Sequence, residues 1–342
     1  MFAVYVHIIL HTTTGNHVDD YFIGLPLSIS LCNASTLTLL SDPRRTAFRR
    51  GQPAVAHVLP FKQRLLWAVD ITTNWRGVNW NFEIPGLRRS NSPRLAYVIS
   101  QLKWCFVQYM MYDAATFVNR RNPAFRIDGE SMGHRGIWRQ AFNVLMFWFT
   151  FANSMAMKNS LVSAITVALH LYEPYDWPFQ FGPLLHTTTV RTFWGRTWHQ
   201  ALRRPISSHG KYMAQTILHI PSGTFLSSYI QLYTGFLLSG IFHANGEWMM
   251  SHNPQRFVSV MYFFVAQVLA ISAEDLVIAI AKYLGLQQVS ILSYVVGMLW
   301  VLGWTVWSGP LWMDPMVRGG IMEDGPPLSL VEGLLSLTKY GT

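Results

Sequence analysis

The chain has 342 residues, 51% hydrophobic and 14% aromatic, and its 13% charged residues are about half the fraction of an average soluble domain. With a mean hydropathy of +0.21, this composition excludes a disordered chain, a coiled coil and a disulfide scaffold, and argues against an ordinary soluble enzyme. Lys and Arg number 26 against 17 Asp and Glu, a formal net charge of +9.

In chain order, Met1–Leu10 is apolar but lacks a basic lead-in and a small-residue cleavage site. It is therefore read as an abbreviated helix and not as a signal peptide. Crossing the roughly 30 Å hydrocarbon layer takes about 20 helical residues. The uncharged stretches Tyr21–Ser41, Gln140–Met157, Gly223–Phe242 and Gln288–Gly309 meet that length most clearly, and Phe257–Ala273 is slightly short. Leu95–Tyr112 and Asn159–Leu171 read as shielded or tilted spans, and Asp275–Leu286 as half-inserted. Only helices and closed barrels satisfy their backbone in lipid, and no period-2 alternation is present. The expected fold is an all-α polytopic membrane protein with about seven or eight transmembrane helices. It forms a single integral domain over residues 1–342, with 42–94 and 173–211 as long cytosolic loops.

Charge is unevenly spread. Ser41 to Arg139 holds 16 basic and 6 acidic residues, and Leu185 to Lys211 adds five basic residues and no acid. The positive-inside rule accounts for such loops, and the same charge would attract a phosphate-bearing substrate. No motif points to nucleic acid. Cys32 and Cys105 offer neither a disulfide framework nor a metal spacing, and the histidines show no ligand pair, so no metal site is expected. The sequon Asn33-Ala34-Ser35 lies in an apolar span and is expected to be silent.

Two places could carry chemistry. His243 sits at the end of an uncharged helix, in Ser239-Gly240-Ile241-Phe242-His243-Ala244-Asn245. An ionisable group at membrane depth faces a cavity or the bundle interior, and imidazole can accept and return a proton near neutral pH. An interfacial histidine bonded to a carbonyl is the plainer alternative. The second place is Arg191-Thr192-Phe193-Trp194-Gly195-Arg196-Thr197-Trp198-His199-Gln200. Trp194 and Trp198, four apart, would share a helical face, with Arg196 elsewhere and His199 beside Trp198. An aromatic-arginine interfacial anchor would explain the same residues. Glu274-Asp275 read as the end of an apolar helix, and Asn79 and Asn81 either line an opening or serve a turn.

The motif Asp176-Trp177-Pro178, Phe181-Gly182, Phe193-Trp194-Gly195-Arg196-Thr197-Trp198-His199-Gln200, followed by Ser239-Gly240-Ile241-Phe242-His243, resembles the wax synthase family of membrane-bound O-acyltransferases. The block Trp75-Arg76-Gly77-Val78-Asn79-Trp80-Asn81 and Glu274-Asp275 resemble its fungal natural-product O-acetyltransferase branch. The resemblance implies transfer of an acyl group, acetyl in that branch, from acetyl-CoA to a hydroxyl of a hydrophobic terpenoid or meroterpenoid, with no bound cofactor. It maps the family's helical histidine onto His243, the expected general base, and its upstream polar position, asparagine in plant members, onto His199. Trp194, Arg196, Trp198, Gln200 and Asn245 would contact substrate, with His199, Asn245 or Trp198 as oxyanion donors. Acyl-CoA would arrive from the cytosol and the alcohol from the bilayer, in the endoplasmic reticulum membrane. A long-chain wax-type donor, a proton-coupled transporter and a non-catalytic scaffold are the alternatives.

Overall fold

The computed structural model describes residues 2–52, 55–286, 290–323 and 325–340. Among them the regular structure is helical, apart from one antiparallel bridge between Arg49 and Trp80. The longer helices in chain order are α1 Phe2–His11, α2 His17–Thr38, α3 Phe61–Thr73, α4 Arg94–Asn119, α5 Ile137–Ala168, α6 Arg203–Lys211, α7 Phe225–Ser251, α8 Pro254–Tyr283, α9 Ile291–Ser308, α10 Pro310–Arg318 and α11 Leu330–Tyr340. The chain forms two compact units, residues 1–88 with 181–299 and residues 89–180 with 300–342.

Local chemistry sets the helix ends. Asn16 caps α2 by accepting the N–H groups of Val18 and Asp19, and Asn253 does the same for α8, with Pro254 at its first position. Thr224 caps α7, which stops at His252 in a left-handed conformation at φ 48°.

These helices revise the expected spans. Three of them, α7, α8 and α9, are long and apolar enough to cross a membrane among the described residues, in place of seven or eight. Some separate spans fuse into one helix. Gln140–Met157 and Asn159–Leu171 are both parts of α5, which runs unbroken through Lys158. Phe257–Ala273 and Asp275–Leu286 both fall largely in α8, so Glu274 and Asp275 lie inside a helix and not at its end. Other spans are too polar: α2 buries Asp20, Ser28, Asn33, Ser35 and Thr36, and α4 carries Lys103 and a buried Asp113. The first residues of the Gln288–Gly309 stretch lie outside the described residues, and α9 covers the rest to Ser308.

The first unit is built on a run of close helix contacts. A Cβ at Gly24 of α2 would lie 3.1 Å from Gly246 Cα of α7, and one at Gly240 of α7 would lie 3.0 Å from Met261 Sδ of α8. Small residues let helices approach this closely in lipid. Ile29, Cys32 and Phe242 form one buried cluster. A second, of Ala47, Ile71 and Trp80, gathers the 42–88 segment, and the fully buried Trp80 donates its indole N–H to Asp70 at 3.0 Å. Asn81 secures the same loop, accepting the Phe48 N–H and donating to Thr46 O. Asn79, at φ 65°, has a turn conformation that asparagine tolerates well. Asn33 of the sequon is buried and donates to Thr72 O.

The second unit pairs α4 with α5 through buried polar contacts. Asn119 donates to Thr150 at 2.9 Å, and Ser160 donates to Gln108 at 3.1 Å. Asp113 caps α11 by accepting from Ser329 and the Val331 N–H. Asp314 of α10 accepts from Ser131 and the Met132 N–H.

Candidate active site

Every residue singled out for chemistry lies in the first unit. His243 sits inside α7, with two further turns of helix after it, so it is interior to the helix where a terminal position was expected. Its Nδ1–H donates to the carbonyl of Ser239 at 2.8 Å. A carbonyl can only accept, so the proton of the neutral ring is on Nδ1 and the lone pair is on Nε2. The ring packs on Phe264 of α8, with centroids 4.8 Å apart.

The second histidine comes from a tight turn. Val190–Thr192 forms one helical turn, and Phe193–Thr197 then widens into a π-type turn closed by the Trp198 N–H on Phe193 O at 2.8 Å. Trp198 leaves it in an extended conformation. Trp194 and Trp198 therefore do not share a helical face, because the widened turn ends between them. Trp194 points at α7 and α8, against Phe236, Phe263 and Phe264, and donates to Gln267 at 3.2 Å. Trp198 packs among Phe181, Phe193 and the His199 ring.

His199 and His243 are electrostatic neighbours, and Arg76 of the 75–81 block is close enough to act on His199 as well. Burial pushes the His199 imidazole down to about 3, and the fields of His243 and Arg76 add to the effect. It is neutral at physiological pH. Its Nδ1 is sealed from solvent with no hydrogen-bond partner among the described residues, an arrangement that costs about 1–3 kcal/mol.

The turn is clamped from both sides. Gln200 donates its amide N–H groups to the carbonyls of Trp194 and Trp198, at 3.2 and 2.9 Å. Arg203 donates to Gln200 Oε1 and to Gly195 O. Glu274 accepts the N–H groups of Val190 and Arg191, and Arg191 pairs with Asp275, which also accepts from Tyr229. The Glu-Asp pair thus anchors the motif to α8.

A profile of the Membrane bound O-acyl transferase family matches residues 177–266, which contain this turn and His243. The acetyltransferase ple2 of Rhodocybe pseudopiperita is 33% identical over 328 residues, covering 94% of this chain and 85% of that protein. The chain belongs to the membrane-bound O-acyltransferases. Within them it falls in a fungal natural-product acetyltransferase branch. The acetyltransferase eriL of Hericium erinaceus is 30% identical over 344 residues, 97% of this chain and 87% of that protein. The O-Mevalon transferase yanI of Aspergillus niger is 24% identical over 298 residues, 79% of this chain and 66% of that protein. No solved structure matches the chain.

The other expected site residues of this acyltransferase have different surroundings. Gln200 is buried and spent on the turn. Arg196 is exposed. Asn245, two residues beyond His243, faces α2 and donates to Ser28 at 3.0 Å. Two charged groups near the histidines in space or along the chain escaped the sequence reading. Arg76 had no distinguishing signal beyond its tryptophan-rich block. Glu247, one turn beyond His243, is fully buried with neither carboxylate oxygen hydrogen-bonded among the described residues and Arg256 at 3.8 Å. An acid inside an apolar helix was its visible signal.

Proposed function

We propose that this acyltransferase moves an acetyl group from acetyl-CoA to a hydroxyl of a hydrophobic terpenoid or meroterpenoid, with His243 as general base. The contact of His243 Nδ1 with the Ser239 carbonyl is the observation that carries this reading. With Nδ1–H committed to Ser239 O, the basic lone pair belongs to Nε2. That atom takes the proton as the acceptor oxygen attacks the thioester carbon. The C–O bond forms, the C–S bond breaks, and the proton passes from Nε2 to the leaving thiolate, giving the ester and free coenzyme A.

His199, neutral and adjacent, is suited to orient the acceptor or donate to the carbonyl oxygen as charge develops there. Trp194 and Trp198 supply the apolar walls. Gln200 serves the substrate side through the clamp and Arg196 lies beyond it, whereas the Asn245 amide, expected at the substrate, is committed to Ser28. We assign the whole chain, 1–342, to one integral-membrane catalytic domain of the endoplasmic reticulum. Its loops 42–94 and 173–211 face the cytosol and the acyl-CoA, and the alcohol enters from the bilayer. The name of yanI keeps a longer acyl donor as the second reading.

The test incubates membranes bearing the protein with isotope-labelled acyl-CoA thioesters of increasing chain length and a panel of hydroxylated terpenoids. Labelled acetyl ester is the expected product, and His243→Ala should lower its rate about a hundred- to ten-thousandfold at unchanged protein level. Esters formed only from long-chain donors would replace acetyl by the second reading. Full turnover in His243→Ala would remove the histidine as base.

A further inference from the structure

Beside the motif turn lies a cleft of about 820 Å³, within the usual range for small-molecule sites. It is walled by the start of α6 and by residues near 41–47 and 81–85. Three cations line it, Arg203, Arg204 and Lys211, against one acid, Glu83. That acid is already engaged: it accepts the Asn79 N–H at 2.6 Å and lies 3.9 Å from Arg50.

Arg204 is the unusual member. The residue is only 9% exposed, and its Nη1 has no hydrogen-bond partner among the described residues. Its guanidinium lies 3.7 Å over the Phe82 ring, which itself stacks on Trp80 at 5.3 Å. The Trp80–Phe82–Arg204 stack holds the group flat without satisfying Nη1. Withdrawing a guanidinium from water with a donor unused is costly, and the natural complement of such a donor is a phosphoryl oxygen. Ser207 and Ser208 add hydroxyls, and Ile84 and Pro85 add an apolar wall. The cleft is also joined to the histidine turn: Arg203, which lines it, is the residue that donates to Gly195 O and Gln200 Oε1.

We propose that this cleft seats the phosphorylated nucleotide end of the thioester donor, with Arg204 as the residue that selects a thioester carrying a ribose phosphate and pyrophosphate over one without them. The inference rests on the acyl-CoA reading above and adds the place and the residue of donor recognition.

The test uses the full chain in phosphatidylcholine nanodiscs and two readouts. The first is equilibrium binding of adenosine 3′,5′-bisphosphate, which needs no catalysis. Arg204→Met and, separately, the exposed Lys211→Ala should each weaken it, the former by about tenfold or more. The second is the KM for acetyl-CoA divided by that for acetyl-pantetheine, which lacks the nucleotide. Arg204→Met should raise this ratio about tenfold or more. An equal penalty on both thioesters, or bisphosphate binding indifferent to both substitutions, overturns the proposal. So does displacement of the bisphosphate by nanodiscs containing a phosphoinositide, which would make the cleft a lipid-headgroup site. If no thioester donates, the proposed reaction is what fails, and the binding readout still decides the cleft.

Discussion

Glu274, in the interior of α8, accepts the backbone N–H of Val190, the first residue of the helical turn that leads into the His199 motif. A buried carboxylate in an apolar helix is retained when it satisfies donors that nothing else reaches, and here it also accepts from Arg191. The consequence is mechanical. The position of His199 is referred to α8, the helix whose Phe264 packs on His243.

Glu274→Ala should therefore uncouple the two histidines. Two backbone donors lose their acceptor, at about 1–3 kcal/mol, and transfer should fall more steeply than stability. Glu274→Gln, which keeps one acceptor oxygen, should recover part of the rate. Equal losses in kcat and melting temperature for both variants would make the residue merely structural.

Gly182 tests the same turn from its other side. Its N–H donates to Thr197 O at 2.8 Å, and an added Cβ would fall 2.1 Å from Arg196 O. Both partners are backbone, so the contact cannot relax by a rotamer change. Gly182→Ala should displace the turn and abolish transfer, and an active, normally stable variant would contradict the close approach.

Gly240 controls the distance between α7 and α8 near His243. A Cβ there would sit 3.0 Å from Met261 Sδ and 3.2 Å from Phe264 Cβ. Methionine can yield, but the Phe264 Cβ moves only with its helix. Gly240→Ala should cost about 1–3 kcal/mol from overpacking and lower kcat by shifting the ring against His243. Steady-state kinetics beside thermal unfolding in detergent would read both.

Asn245 provides a control. Its side-chain amide donates across to Ser28, so Asn245→Ala should loosen α2 from α7 by about 1–2 kcal/mol. At a temperature where the variant is folded, transfer should persist. A collapse of kcat with unchanged stability would instead place the amide at the reacting carbonyl.

His199 gives a pH signature. Burial holds its folded-state value down to about 3 against an ordinary 6.5. Below about pH 6.5 the unfolded chain takes up a proton that the folded chain refuses, so this residue's contribution destabilises the fold progressively as pH falls from about 6.5 toward 3. The slope is at most about 1.4 kcal/mol per pH unit. His199→Gln should flatten the decline of melting temperature between about pH 7 and pH 5, and identical profiles would rule out a buried neutral imidazole.

Much of the protein was legible along the chain. Low charge and long apolar runs declare a helical membrane protein, because composition alone sets the solvent a surface prefers. The residues of the His199 turn and of the His243 segment were legible too, since a motif is a local spacing. The helix count was not. α5 continues through Lys158, and α8 continues through Glu274 and Asp275, where a hydropathy reading stops. Glu274 and Asp275 are satisfied by Val190, Arg191 and Tyr229, from elsewhere in the chain.

Tertiary structure alone decided which polar groups are bonded and which lack a partner among the described residues. Gln200 and Asn245 look like substrate contacts in one dimension and are bonded to their own fold in three. Arg204 reads as one more positive loop residue, yet it is buried on Phe82 with a donor unused. Sequence fixes what each side chain is able to bond. Its partner depends on which segment packs against it, and for Asn245 and Arg204 that segment is far away along the chain.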